Sequence, residues 1–186
     1  MRRWLLPALM IALLLSGCSG GAPERKLEEM RRSLAAAEEA AITADVTAFL
    51  GDERFSCALL CRADAERVTV EVTAPETIAG IRAVIGTDGT TIEYEDISLG
   101  IGGAGTDAAP VTALPLLLAA LRNGSTLRRW TEREGERTLF VREYYVTDDT
   151  SLTVWFDASS LLPAYAEFSR NGAAVLHCEI REFSYR

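Results

Sequence analysis

The chain has 186 residues, 19 Lys and Arg against 27 Asp and Glu, a formal net charge of -8, and 48% hydrophobic residues. That length suits one domain of ordinary size. The acidic balance argues against a nucleic-acid partner, whose phosphates need Lys and Arg, and against electrostatic adhesion to anionic lipid heads. It serves solubility.

The first residues set the compartment. Arg2 and Arg3 precede Trp4, Leu5, Leu6 and an apolar run from Ala8 to Leu15. A basic start, an apolar core of about 7–15 residues and small residues before a cut describe a secretory signal. The run is shorter than the roughly 20 residues that a spanning helix needs. Leu15-Ser16-Gly17-Cys18 resembles the lipobox of bacterial lipoproteins. The resemblance implies cleavage before Cys18 and acylation of that cysteine with diacylglycerol and an N-acyl chain such as palmitate. Two or more acyl chains give stable anchoring, each buried CH2 contributing about 0.8 kcal/mol. The expectation is an extracytoplasmic protein on the cell membrane, or on the outer membrane of a host with two. Residues 1–17 are then the signal, 18–26 the lipidated cysteine with a short flexible tether, and 27–186 the domain. Loss of Arg2 and Arg3 leaves the chain from Cys18 at -10.

Leu27, Met30, Leu34, Ala37 and Ala41 recur at helical spacing and predict an amphipathic helix. From about residue 41 the period becomes two. Ile42, Ala44, Val46, Ala48 and Leu50 share one strand face, and Gly51-Asp52 supplies a turn. Phe55, Cys57, Leu59 and Cys61 line the next strand, Asp64-Ala65 turns, and Val68, Val70 and Val72 follow. Pro75 ends that strand, because it lacks an N–H for the ladder. Ile81 to Ile85 reads as a strand, Thr87-Asp88-Gly89 as a hairpin turn, and Ile92 and Tyr94 as the returning face. Gly100 to Gly105 reads as a loose loop.

Val111 to Leu121 predicts a helix that is apolar nearly all round, so most of its surface must be covered. Pro115 is assigned to its first turn and Asn123-Gly124 to its end. Strands resume at Leu127 to Glu132, Thr138 to Val146, and Leu152 to Phe156. Asp157 to Pro163 is a longer turn. Ala164 to Arg170 and Val175 to Tyr185 flank Asn171-Gly172, the favoured type I′ pair. About ten strands with short connections make antiparallel neighbours, and such a sheet curls or closes. The fold class is mainly β (α+β): an antiparallel open or half β-barrel, with an N-terminal helix and an apolar helix covering the concavity.

Chemical motifs are sparse. Gly100-Ile-Gly102-Gly-Ala-Gly105 matches GxGxxG, but Pro110, Pro115 and antiparallel neighbours argue against a dinucleotide site. His177 and Cys178 are adjacent on a strand and point to opposite faces, so no Cys–His dyad is expected. Cys57 and Cys61 sit too far apart along one strand to bridge. Either stands open to pairing with Cys178, or all three are small buried apolar residues. Glu93/Glu95 and Asp148/Asp149 read as solvated carboxylates. Trp130, Trp155, Tyr165 and their aromatic neighbours read as cross-strand packing. No catalytic residue, metal site or cofactor is expected.

Several stretches together resemble the LolA/LolB-like lipoprotein-carrier superfamily. They are Val68 to Val72 running into Ala74-Pro75-Glu76, Ile85-Gly-Thr-Asp-Gly89 leading to Tyr94, and Thr153-Val-Trp-Phe-Asp157 followed by Leu161-Leu-Pro163, Glu167, Asn171-Gly172 and Phe183. The likeness covers residues 27–186 and is similar in kind to small GerS-like lipoproteins of Gram-positive bacteria. It implies an open barrel that holds acyl chains in its concavity, or a non-catalytic partner of a peptidoglycan amidase in envelope or spore assembly. In the first case Leu114, Leu117, Leu118 and Leu121 of the helix line the cavity with Leu59, Val68, Val70 and Val72.

Overall fold

The computed structural model describes residues 21–102 and 109–186. The signal, Cys18 and the centre of the glycine-rich stretch lie outside the described residues. Helix α1 spans Gly21–Ala36 and α2 Pro110–Asn123. The strands are β1 Ala40–Leu50, β2 Glu53–Ala63, β3 Val68–Ala74, β4 Arg82–Gly86, β5 Gly89–Tyr94 and β6 Ile97–Gly102, then β7 Thr126–Glu134, β8 Arg137–Tyr145, β9 Thr150–Asp157, β10 Pro163–Arg170 and β11 Ala173–Tyr185. They form one sheet in the order β6-β5-β4-β3-β2-β1-β11-β10-β9-β8-β7. Every neighbouring pair is antiparallel. The sheet stays open, with β6 and β7 at its two edges: an open half-barrel.

Alternation of side chains places one apolar set on the concave face. In β1 the buried positions are Ala40, Ile42, Ala44, Val46 and Ala48, with Thr43, Asp45 and Thr47 on the other side. β9 repeats the pattern with Leu152, Val154 and Phe156. Both helices sit in the concavity: α2 touches β1, β2, β3, β11 and α1. At Asn171-Gly172 both residues have positive φ (51° and 81°), as a type I′ turn requires.

Several boundaries differ from the sequence reading, each for a physical reason. α1 starts at Gly21, inside the stretch assigned to the tether, and ends at Ala36, so Ala41 belongs to β1. The described residues form eleven strands, against about ten expected. Ile97–Gly102 is a strand paired with β5, so Gly100 is not in a loop. Pro115 lies in the interior of α2, and Pro110 takes the first position, where a missing N–H costs nothing. Leu50 and Phe55 continue the inward register but run past the end of the core and are exposed. Gly124 ends α2 because a Cβ there would stand 2.5 Å from the Ala120 carbonyl oxygen.

Candidate functional site

The eight residues expected to line a cavity come together, as one packed core. Leu59, Val70, Leu114, Leu117, Leu118 and Leu121 are buried, and Val68 and Val72 are half-buried against them. None of them borders any of the four cavities described below or elsewhere on the surface, of about 650, 360, 340 and 190 Å³. Helix α2 fills the concavity over β1, β2, β3 and β11.

A polar clasp, invisible in the sequence pattern, closes one side. Arg142 on β8 points inward and is only 2% exposed. Its guanidinium donates to Glu28 at 2.5 Å and to Glu24 at 2.6 Å, both on α1. Arg31, also on α1, donates to the carbonyls of Leu121 and Gly124 at 3.0 Å each, satisfying the last turn of α2. It lies over the Tyr144 ring, 5.3 Å from the centroid. Partial burial alone would raise the Glu28 pKa, but the hydrogen bond and charge of Arg142, with Arg31, hold it below the usual value. Glu28 is therefore ionised at neutral pH.

Opposite the clasp, the concavity is open. The cross-strand row Val70–Ala83–Ile92–Leu99 runs from β3 to the β6 edge. Val70 and Ala83 are buried, Ile92 is half-buried and Leu99 is 61% exposed. In the adjoining row Tyr94 faces Ile97, and both are exposed. The apolar floor thus continues from beneath α2 onto a shelf that meets solvent.

At the C-terminal end of α2, Arg122 has two guanidinium nitrogens, Nε and one Nη, buried with no hydrogen-bond partner among the described residues. Its charge reaches the inward-facing Cys61 and partly offsets the burial that pushes that thiol up to about 12. Buried N–H donors without acceptors carry a desolvation cost that a hydrogen-bonding ligand would relieve.

The three cysteines are free and buried. Cys57 and Cys178 both pair with Val46, from opposite sides, so they stand two strand spacings, about 9.6 Å, apart. That exceeds disulfide reach. Burial also pushes Cys178 up to about 12. His177 occupies the convex face with Tyr165, ring centroids 5.9 Å apart. On that face Trp155 stacks on Tyr165 at 4.8 Å, and Glu132 accepts from the indoles of Trp130 and Trp155 at 2.5 and 2.9 Å. These aromatics pack across strands as expected. Among the described residues no three His, Cys, Asp or Glu side chains gather as metal ligands, and no helix is long and apolar enough to cross a membrane.

No family model matches the chain, and no curated protein matches it. Solved structures do. A DUF1329 family protein from Desulfovibrio piger is 9% identical, with a TM-score of 0.52 over 86% of this chain and 90% of that one. The chain shares the fold of that protein. A LolA superfamily protein from Nitrosomonas europaea is 12% identical over 88% of this chain and 93% of its own, with a TM-score of 0.43. A chain in the complex of the CwlD amidase with the GerS lipoprotein from Clostridioides difficile is 12% identical over 88% and 95%, with a TM-score of 0.45. At such identities the likeness is one of architecture alone.

Proposed function

We propose that this is a non-catalytic, extracytoplasmic lipoprotein, anchored through acylated Cys18, that binds an anionic acyl lipid in its half-barrel. Arg122 carries the reading. Two of its guanidinium nitrogens are buried without a hydrogen-bond partner among the described residues, and its charge reaches the inward-facing Cys61, so a carboxylate or phosphate head would supply a counter-charge. The acyl chain would enter over the Ile92–Leu99 shelf and displace part of the contact between α2 and Leu59, Val68, Val70 and Val72. Burial of that chain would contribute about 25 cal/mol per Å². Native mass spectrometry of gently purified protein tests for a co-purifying lipid. Titration with a fluorescent fatty acid and with the matching fatty alcohol tests the head. The acid should bind more tightly, and Arg122→Gln should erase that preference. No lipid and no uptake of either probe would overturn the reading.

The packed state of the core favours a second reading, a protein-interaction module whose outer surface or edge strands do the work. A peptidoglycan amidase recovered on immobilised protein, with binding unaffected by Arg122→Gln, would favour it.

A further inference from the structure

The acidic charge is not spread evenly. Residues 21–36 and 122–133 hold eight of the 19 Lys and Arg but four of the 27 Asp and Glu. Inside an otherwise acidic chain this is a local basic patch. Its exposed members are Arg25, Lys26 and Arg32 on α1 and Arg128, Arg129 and Arg133 on β7. The fold joins the two segments: Arg129 donates to Glu24 at 3.1 Å, and Glu24, Arg129 and Trp130 border one cavity of about 190 Å³. Two large apolar side chains of β7, Leu127 and Trp130, are exposed on the same edge strand. Trp130 and Arg128 project on the convex side of that edge and Arg129 and Arg133 on the side of α1, with Arg128 paired to Glu143 and Arg129 to Glu24.

We infer that the edge strand β7 and the outer side of α1 form a second membrane contact, lying on an anionic bilayer surface. The inference rests on the anchoring reading. Cys18 and Gly21 are three residues apart, so the acylated cysteine stands within about 11 Å of the start of α1. The bilayer surface is therefore within reach of α1 and of the strand joined to it. Tryptophan at the headgroup level and arginine against anionic heads are the side chains such a surface takes. The net acidity of the chain does not oppose this, because charges farther than about 8 Å from the surface are screened at physiological salt.

The test uses the mature chain from residue 18 in two forms, acylated and Cys18→Ser. Vesicles contain two parts phosphatidylcholine to one part phosphatidylglycerol, or phosphatidylcholine alone. In a Trp155→Phe background Trp130 is the one tryptophan of the mature chain. Brominated lipid should quench it in the phosphatidylglycerol vesicles, and raised salt should relieve the quenching. In the Cys18→Ser chain, binding should fall at least about tenfold on the charge reversals Arg25→Glu, Arg32→Glu and Arg133→Glu together, each basic group at such a surface being worth about fivefold. Those three arginines make no ion pair among the described residues, and circular dichroism confirms that the variant is folded. Unquenched Trp130, or equal binding of parent and variant, would overturn the surface. Flotation of the acylated form reads the anchor separately: a chain that floats with Trp130 unquenched keeps the anchor and loses the surface, whereas a non-floating chain whose Cys18→Ser form binds phosphatidylglycerol does the reverse.

Discussion

The two wings of the half-barrel are built on opposite plans. The β7–β9 wing is held to α1 by a buried arginine with two carboxylate partners, and α1 in turn holds the end of α2. Among the described residues the β4–β6 wing has no such bond to a helix, and its apolar row ends on exposed Leu99 and Ile97. One wing fixes the cover in place, and the other leaves the floor open beside it. On the reading proposed above, a fold that stays assembled while admitting an apolar guest needs both.

The contrast can be broken at its centre first. Leu117 is fully buried on the inner face of α2, so Leu117→Ala should cost about 2–5 kcal/mol in urea unfolding. If the loss is under about 1 kcal/mol, α2 does not share the core. Arg142→Ala comes next, at about 2–3 kcal/mol, because it strands Glu24 and Glu28 against the sheet; the partial exposure of both carboxylates places it below the full penalty for a buried pair. Hydrogen exchange should then quicken in α1 before β4–β6. A smaller effect is expected from acid. The Glu28 pKa is depressed in the fold, so its contribution is present above the ordinary value of about 4.5 and is lost as pH falls through the folded value. Glu143, held low chiefly by its hydrogen bond from Arg128, behaves alike. Stability measured downward from pH 5 should fall, and less steeply in Arg142→Ala. Leu99→Ser on the open wing should change stability by no more than about 0.5 kcal/mol, while weakening uptake of the fluorescent fatty acid.

The same contrast explains what was legible in the sequence. β1, β3 and β9 announce themselves, because each has one buried and one solvated face and so an alternating code. β6 does not: Ile97 and Leu99 do alternate, but Gly100 and Gly102 in the same strand read as loop punctuation. The greasy character of α2 was plain, and so was its place in the concavity. Its interior Pro115 was misplaced because Pro110, five residues earlier, is the true first position. The clasp was out of reach. Arg142 looks like any strand arginine until Glu24 and Glu28, 118 and 114 residues away, are brought over it. Arg122 likewise reads as a helix-terminal cation and becomes notable only when two of its nitrogens are found buried with no hydrogen-bond partner among the described residues. Exposed Leu50 and Phe55 show the converse limit: alternation tells which way a side chain points, not where the core stops.

Arg31 has a mechanical meaning. By gripping the Leu121 and Gly124 carbonyls from the leading helix, it couples the front of the polypeptide to the plug of the barrel without passing through any strand. Tension applied to α1 is delivered to the last turn of α2, so, on the anchored reading proposed above, a leash at Cys18 would also be a handle on the interior.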